Sequence, residues 1–197
     1  MNIIFDIDGT LMDINHRRHF VEGETKDWKS FVANMKYDIP NTLVARVFNQ
    51  LLGGHDPDNS EDNCIFFLTG RMETQRDITI KHLYDCGYEW EKQNYDLREH
   101  HEGWEAVLFM RPNDDYRGDS ELKSELFDKL LNTLYPCYED ANLYDQNNMT
   151  EYEYNENREE DILKFQKETI IFDDRQSVVD MWRARGLTCF QVAEGDF

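Results

Sequence analysis

Ile3-Ile4-Phe5-Asp6-Ile7-Asp8-Gly9-Thr10-Leu11 decides the reading of this chain. A short apolar run leads directly into two carboxylates two residues apart and then a glycine. A strand that ends on acids ahead of a turn sets both side chains at the mouth of a sheet. Such a pair suits phosphoryl transfer. The first carboxylate can attack phosphorus while the second handles the proton on the departing oxygen. Three further stretches, Thr69-Gly70-Arg71, Lys123 and Asp173-Asp174, follow in the order that this chemistry needs.

Working outward, five apolar runs read as buried parallel strands: Asn2–Asp6, Cys64–Thr69, Ala106–Met110, Thr169–Asp173 and Thr188–Ala193. Amphipathic segments separate them. Asn41–Leu52 carries Leu43, Val44, Val47, Phe48 and Leu51 and stops at Gly53-Gly54. Glu73–Cys86 carries Ile80, Leu83 and Tyr84 and ends at Gly87. In Asp119–Leu134 a leucine recurs every fourth residue, and Pro136 follows. Gln176–Arg185 carries Val178, Val179, Met181 and Trp182 before Gly186. Strand–helix alternation of this kind predicts an α/β fold, a doubly wound, Rossmann-like parallel sheet of five strands with helices on both faces. Ligands in that architecture bind beyond the carboxyl ends of the strands, where Asp6, Thr69, Arg111 and Asp173 stand.

Residues 1–197 read as a single domain. Two stretches break its rhythm. Residues 12–40, with His16-Arg17-Arg18-His19 and Asp27-Trp28, are expected to form a small or minimal cap, or a rim over the site. Residues 136–161 are an acidic insertion, read as a solvated surface loop with a short helix running into Phe165.

Composition excludes several classes of function. Hydrophobic residues at 40% and aromatics at 13% indicate a folded globule and not a disordered tail. No apolar run approaches the roughly 20 residues of a membrane span, and the N-terminus, which goes straight into a strand, shows no signal peptide. Cys64, Cys86, Cys137 and Cys189 form no CxxC pair, which fits buried or solitary thiols in a reducing cytoplasm. The formal net charge of −20 argues against sequence-blind wrapping of duplex nucleic acid. A nucleic-acid substrate would have to be gripped locally, at a terminus.

Each motif has a role that its chemistry suggests. Asp6 is the expected nucleophile, which takes the phosphoryl group as a mixed anhydride that water then hydrolyses. Asp8 is the expected acid and then base. Thr69 and Gly70, at the end of a strand and close to a helix start, can hold phosphate oxygens, and Arg71 offers a planar fork to the same group. Lys123, one turn inside its helix, is a fixed cation for Asp6 and the transferring group. Asp173 and Asp174, with Asp6 and the backbone carbonyl of Asp8, make a hard oxygen set for Mg²⁺.

Together these residues resemble the haloacid dehalogenase (HAD) superfamily of aspartate-dependent phosphatases. The final stretch is narrower still: Phe172-Asp173-Asp174-Arg175, then Met181-Trp182-Arg183, then Cys189-Phe190-Gln191-Val192-Ala193, closing on Gly195-Asp196-Phe197. It is similar to the C-terminal phosphatase domain of bacteriophage polynucleotide kinase/phosphatases. That resemblance implies Mg²⁺-dependent removal of 3′-phosphates from DNA or RNA ends, including 2′,3′-cyclic phosphates, or from nucleoside 3′-monophosphates. The setting would be host cytoplasm if the chain is phage-encoded. It also implies phosphate-side roles for Arg17, Arg71 and Arg111, with Asp119 as a cation partner. With Arg117 and Arg175 these would form a locally basic pocket. No GxxxxGK[ST] occurs, so a kinase, like a ligase, would be a separate partner. The alternatives are a phosphatase for small metabolites such as 5′-nucleotides and a non-turnover phosphoacceptor signalling domain. Asp8 argues against the latter, because it supplies the acid that lets the intermediate turn over.

Overall fold

A computed structural model of the chain describes residues 1–53, 63–88, 107–139 and 150–195. Its centre is a five-stranded sheet of β1 (Asn2–Phe5), β4 (Cys64–Met72), β5 (Leu108–Arg111), β6 (Thr169–Asp173) and β7 (Thr188–Gln191) in the order β5-β4-β1-β6-β7. Every pairing within it is parallel. The predicted α/β class and strand count therefore hold, with strand ends shifted by a few residues. The start of the third predicted strand, Ala106, lies outside the described residues. β4 runs on to Met72, and its pairing with β5 shifts register between Thr69 and Met72.

Helices cover both faces. On one side α3 (Thr42–Gly53) sets Phe48 against Phe5, Phe67 and Tyr88, with centroids 5.3, 6.3 and 4.9 Å apart. On the other lie α5 (Asp119–Leu134), α6 (Glu151–Lys167) and α7 (Gln176–Ala184). There Phe127 of α5 packs edge-on to Trp182 of α7, and Phe165 of α6 packs on Phe66. Leu122, Leu126 and Leu130 of α5 are buried, each contributing about 1.5–3 kcal/mol in transfer free energy. On α3 the stripe is narrower than its sequence suggests: Leu43 and Val47 stay exposed, and Val44 and Phe48 enter the core.

Residues 12–40 form a two-stranded antiparallel ribbon, β2 (Met12–Asp13) with β3 (Ile39–Pro40). Between its strands lie the short helices α1 (Asn15–Arg18) and α2 (Trp28–Ala33) and a 3-10 turn at Met35–Tyr37. The 76–85 region is helical as α4 (Arg76–Asp85), entered through a 3-10 turn at Glu73–Gln75. The second irregular stretch departs from expectation. Residues 151–161 are not a solvated loop but most of α6, a 17-residue helix. Thr150 caps it in a reciprocal box with Glu153, Glu151 and Glu153 complement its first turn, and Lys164 and Lys167 its last. Phe165 then anchors it in the core. Residues 140–149 lie outside the described residues.

Candidate active site

The site begins with strand register. Phe5 pairs with Phe172 of β6, and the Asp6 N–H donates to the Phe172 carbonyl at 3.0 Å. The next residue on each strand, Asp6 and Asp173, are thus neighbours. Side chains alternate along a strand, so both point away from the Phe5 face and toward α5. There Lys123 Nζ donates to Asp6 Oδ1 and to Asp173 Oδ2, each at 2.7 Å. All three side chains are buried.

Asp174 completes the cluster from between two glycines. Gly9, at φ +92°, turns the chain tightly after Asp8, and a methyl group there would overlap Asp174 Oδ2. A methyl group on Gly195 would lie 2.7 Å from the Asp174 carbonyl oxygen and from its Oδ2. Asp6, Asp173 and Asp174 present carboxylate oxygens within 4.8 Å of one another. Three carboxylates against one ammonium leave two uncompensated negative charges in a buried volume. The electrostatics reflect this. Burial, reinforced by Asp173 and Asp174, pushes the Asp6 carboxyl well above its ordinary value despite Lys123. Burial likewise pushes Asp174 up to about 6. For Lys123 the balance reverses: burial disfavours its charge, but Asp173 and Asp6 outweigh burial and keep it protonated. A charge excess of minus two on hard oxygens fits a divalent cation such as Mg²⁺, which Asp6, Asp173 and Asp174 could hold.

Asp8 faces the other way. Its Oδ1 accepts from Arg17 Nη2 at 2.7 Å, from Arg71 Nε at 3.0 Å and from Arg71 Nη2 at 2.5 Å. Its carboxylate therefore stands apart from the acidic cluster, which leaves only its main chain for the expected role at a metal. Asp38 grips the same two arginines from behind, accepting from Arg17 Nε and Nη2 at 2.6 Å and from Arg71 Nη2 at 3.1 Å. Two acids and two arginines thus form one compensated quartet. Within it Asp8, with 22% of its side chain exposed, opens to the cavity, whereas the other three are at most 2% exposed. Burial pushes the Asp8 carboxyl up, but Arg71 and Arg17 outweigh burial and hold it well below the usual carboxylate range. For Asp38 burial wins, and its carboxyl is raised.

Thr69 is fully buried, with its hydroxyl accepting from the Arg71 N–H at 3.3 Å. Gly70 accepts from Arg111 Nε at 3.0 Å, and a side chain on Gly70 would press on Asp119. Arg111 also donates to the carbonyls of Asp115 and Arg117, and to the Asp119 carboxylate. It therefore braces the 112–118 loop as much as it faces substrate. Asp119 is shared with Arg175 Nη1 at 2.9 Å. A cavity of about 430 Å³ gathers Asp6, Asp8, Arg17, Gly70, Arg71, Arg111, Asp119, Lys123 and Asp174 at its surface. Of the residues singled out from sequence, Thr69 and Asp173 lie buried beneath them. The expected basic pocket takes a different form. Seven cationic side chains line the cavity beside five acidic ones, and all its arginines are ion-paired. The reason is the acidic composition: a chain with 41 Asp and Glu residues supplies a partner to each arginine at the cavity.

A family model for the polynucleotide kinase PNKP phosphatase domain, of the HAD type, matches residues 1–152 and 154–197. The chain belongs to this family. Its PNKP-type phosphatase fold also resembles two solved structures. One is described as the Pnkp1/Rnl/Hen1 RNA repair complex, with a TM-score of 0.57 and 25% identity; the match covers all of this chain and 43% of that one. The other is described as the Pnkp1/Rnl/Hen1 complex, with a TM-score of 0.56, 26% identity, full coverage of this chain and 47% of that one. This chain thus spans less than half the length of the chains it matches. No curated protein matches it.

Two features of this PNKP-family site escaped the sequence reading. Asp38 carries no signal of its own, being a lone acid ahead of Ile39-Pro40. Phe31, Val32 and Met35, which with the expected rim residue Trp28 line the cavity, do carry one: their i+3, i+4, i+7 spacing from Trp28 marks a helical apolar stripe.

Proposed function

We propose that this domain is a Mg²⁺-dependent phosphatase working through a phosphoaspartate on Asp6, and that it removes 3′-phosphates from nucleic-acid ends or nucleoside 3′-monophosphates. The observation that carries the reading is Lys123 bridging Asp6 and the deeper Asp173 at 2.7 Å each, with Asp6, Asp8 and Lys123 lining one cavity. In the first step an Asp6 carboxylate oxygen bonds to phosphorus as the phosphorus–ester oxygen bond breaks. Asp8 gives its proton to the departing 3′-oxygen. In the second step a water oxygen attacks the same phosphorus, Asp8 takes its proton, and the bond to Asp6 breaks to release orthophosphate. When bound by Asp6, Asp173 and Asp174, Mg²⁺ would neutralise their excess charge, keep Asp6 ionised and offset charge on the phosphate.

Arg17 and Arg71 supply the switch that Asp8 needs. Without substrate they hold it ionised, the state of a base. A phosphate in the cavity would compete for the same guanidinium groups, which releases Asp8 to take up the proton it must donate. Lys123 stays cationic throughout and orients Asp6. The 12–40 stretch acts as a small cap, on the ground that α2 and the turn after it wall the cavity. A separate kinase or ligase would complete the repair of an end, a reading supported by the Pnkp1/Rnl/Hen1 RNA repair complex in which a similar chain occurs. A reducing cytoplasm fits the four cysteines, none of which forms a disulfide, and no described helix is long and apolar enough to cross a membrane.

The test is hydrolysis of 3′-phosphorylated DNA and RNA oligonucleotides beside 5′-nucleotides, with and without a chelator. Asp6→Asn should abolish release of orthophosphate while leaving the thermal melt intact; retained turnover would remove Asp6 as nucleophile. Turnover of 5′-nucleotides alone would assign the site to small metabolites instead.

A further inference from the structure

We infer that the terminal base of a single strand is held by stacking on the cavity's aromatic residues, Trp28 and Tyr116, and that this contact selects the substrate. The inference rests on the phosphatase reading above and adds to it what lies beyond the phosphate. A cavity of about 430 Å³ is far larger than a phosphate group needs and falls within the range of pockets that enclose organic ligands. One wall is Trp28, Phe31, Val32 and Met35. Trp28 is 53% exposed and Val32 38% exposed, so apolar surface is presented to the cavity while Phe31 is buried behind it. The 112–118 loop lines the same cavity and offers Tyr116, 79% exposed, on a turn clamped by Arg111.

The wall is tied to the phosphate floor. Phe31 meets Trp28 edge-on at 5.7 Å, and the guanidinium of Arg17, whose Nη2 reaches Asp8, lies 4.0 Å from the Phe31 centroid. A group stacked on Trp28 is therefore one aromatic ring away from the cation that faces the phosphate. A sugar phosphate would leave this apolar wall uncovered, whereas a nucleobase presents a flat π-face that suits it. The charge pattern excludes the other common mode of grip. Arginines at the cavity are already ion-paired, in a molecule of net charge −20, so the site does not read as a cationic track for a long backbone. Lys26, whose Nζ stands 5.5 Å from the Trp28 ring, is placed for one adjacent phosphate. Single strands are favoured because a terminal base inside a duplex is already stacked and paired.

A cycle between protein and substrate tests this. The substrates are a 3′-phosphorylated single-stranded oligonucleotide and the same oligonucleotide with an abasic terminal nucleoside. The enzymes are wild type, Trp28→Ala, Tyr116→Ala and Trp28→Phe, each checked by thermal melt. Removing the base should lower kcat/KM of the wild type by roughly 5- to 150-fold, the worth of one base–aromatic stack. Trp28→Ala should lose a similar factor on the normal substrate, mainly through KM, yet discriminate little between normal and abasic ends. Trp28→Phe should recover most of the loss. Raising salt from about 50 to 200 mM should weaken KM by less than about tenfold, the shallow dependence of one or two phosphate contacts. The proposal is overturned if the abasic end is processed as well as the normal one, or if Trp28→Ala keeps the wild-type ratio between them. Absence of turnover on both substrates with wild type would instead overturn the phosphatase reading, and stacking with it.

Discussion

At the scale of single residues, the C-terminal segment matters through one missing methyl group. Gly195 lets the backbone close over Asp174, and a Cβ there would sit 2.7 Å from two of its oxygens. Gly195→Ala should displace Asp174 and weaken Mg²⁺ affinity by about 10- to 100-fold, the usual cost of disturbing a support behind a metal ligand. A Mg²⁺ titration of activity checks it; an unchanged half-saturation would show that the segment moves away without cost. Asp38 is the second such residue, a fully buried acid that holds Arg17 and Arg71. Asp38→Ala removes a counter-charge from buried guanidinium groups and should destabilise by about 3–5 kcal/mol in urea unfolding. These two residues also show the limits of reading a site from sequence. Asp6, Asp8, Lys123, Asp173 and Asp174 were legible because each sits at a strand end or a helix turn with a chemical reason to be there. Asp38 was not, because its value comes from arginines 21 and 33 residues away along the chain.

At the scale of elements, β1, β4 and β5 were legible from apolar runs alone, since burial on both faces leaves no alternation to misread, whereas the edge strand β7 alternates, with Phe190 52% exposed. The helix α6 was hidden by its own charge. Its residues 151–161 look solvated, and largely are, but Thr150 and Glu153 close a capping box that starts the helix. Thr150→Ala should cost about 1 kcal/mol, seen as a lower urea midpoint with an unchanged slope. A loss near zero would mean that Phe165 packing alone holds the helix. The ribbon of β2 and β3 was illegible for a different reason: two residues per strand show no periodicity, and the pairing Met12–Pro40 is a tertiary fact.

At the scale of the whole molecule, the acidic cluster sets a pH dependence whose sign follows from burial. Without metal, native Asp174 binds its proton up to about pH 6, and Asp6 is also raised, whereas the unfolded chain releases protons near 3.8. Stability from this source is fully present below that lower value and is lost as pH rises through about 6. Asp8, held low by Arg71 and Arg17, acts in the opposite sense but only in stronger acid. In chelator the melting temperature should therefore fall between about pH 5 and pH 7.5. Mg²⁺ should raise it more at the upper value, because at the lower one protons compete for the same oxygens. An equal Mg²⁺ effect at both would place the cation elsewhere.

The central strand β1 precedes both of its neighbours in the chain, and β6 pairs with it from 167 residues further on, Asn2 against Thr169. Until β6 is added, Asn2–Phe5 therefore keeps one hydrogen-bonding edge open. The same delay acts as a safeguard: Lys123 has a single acid to hold until Asp173 leaves the ribosome. Prematurely terminated products should thus be both hydrolytically inert and prone to pair edge to edge, which makes them targets for chaperone and protease rather than stray enzymes.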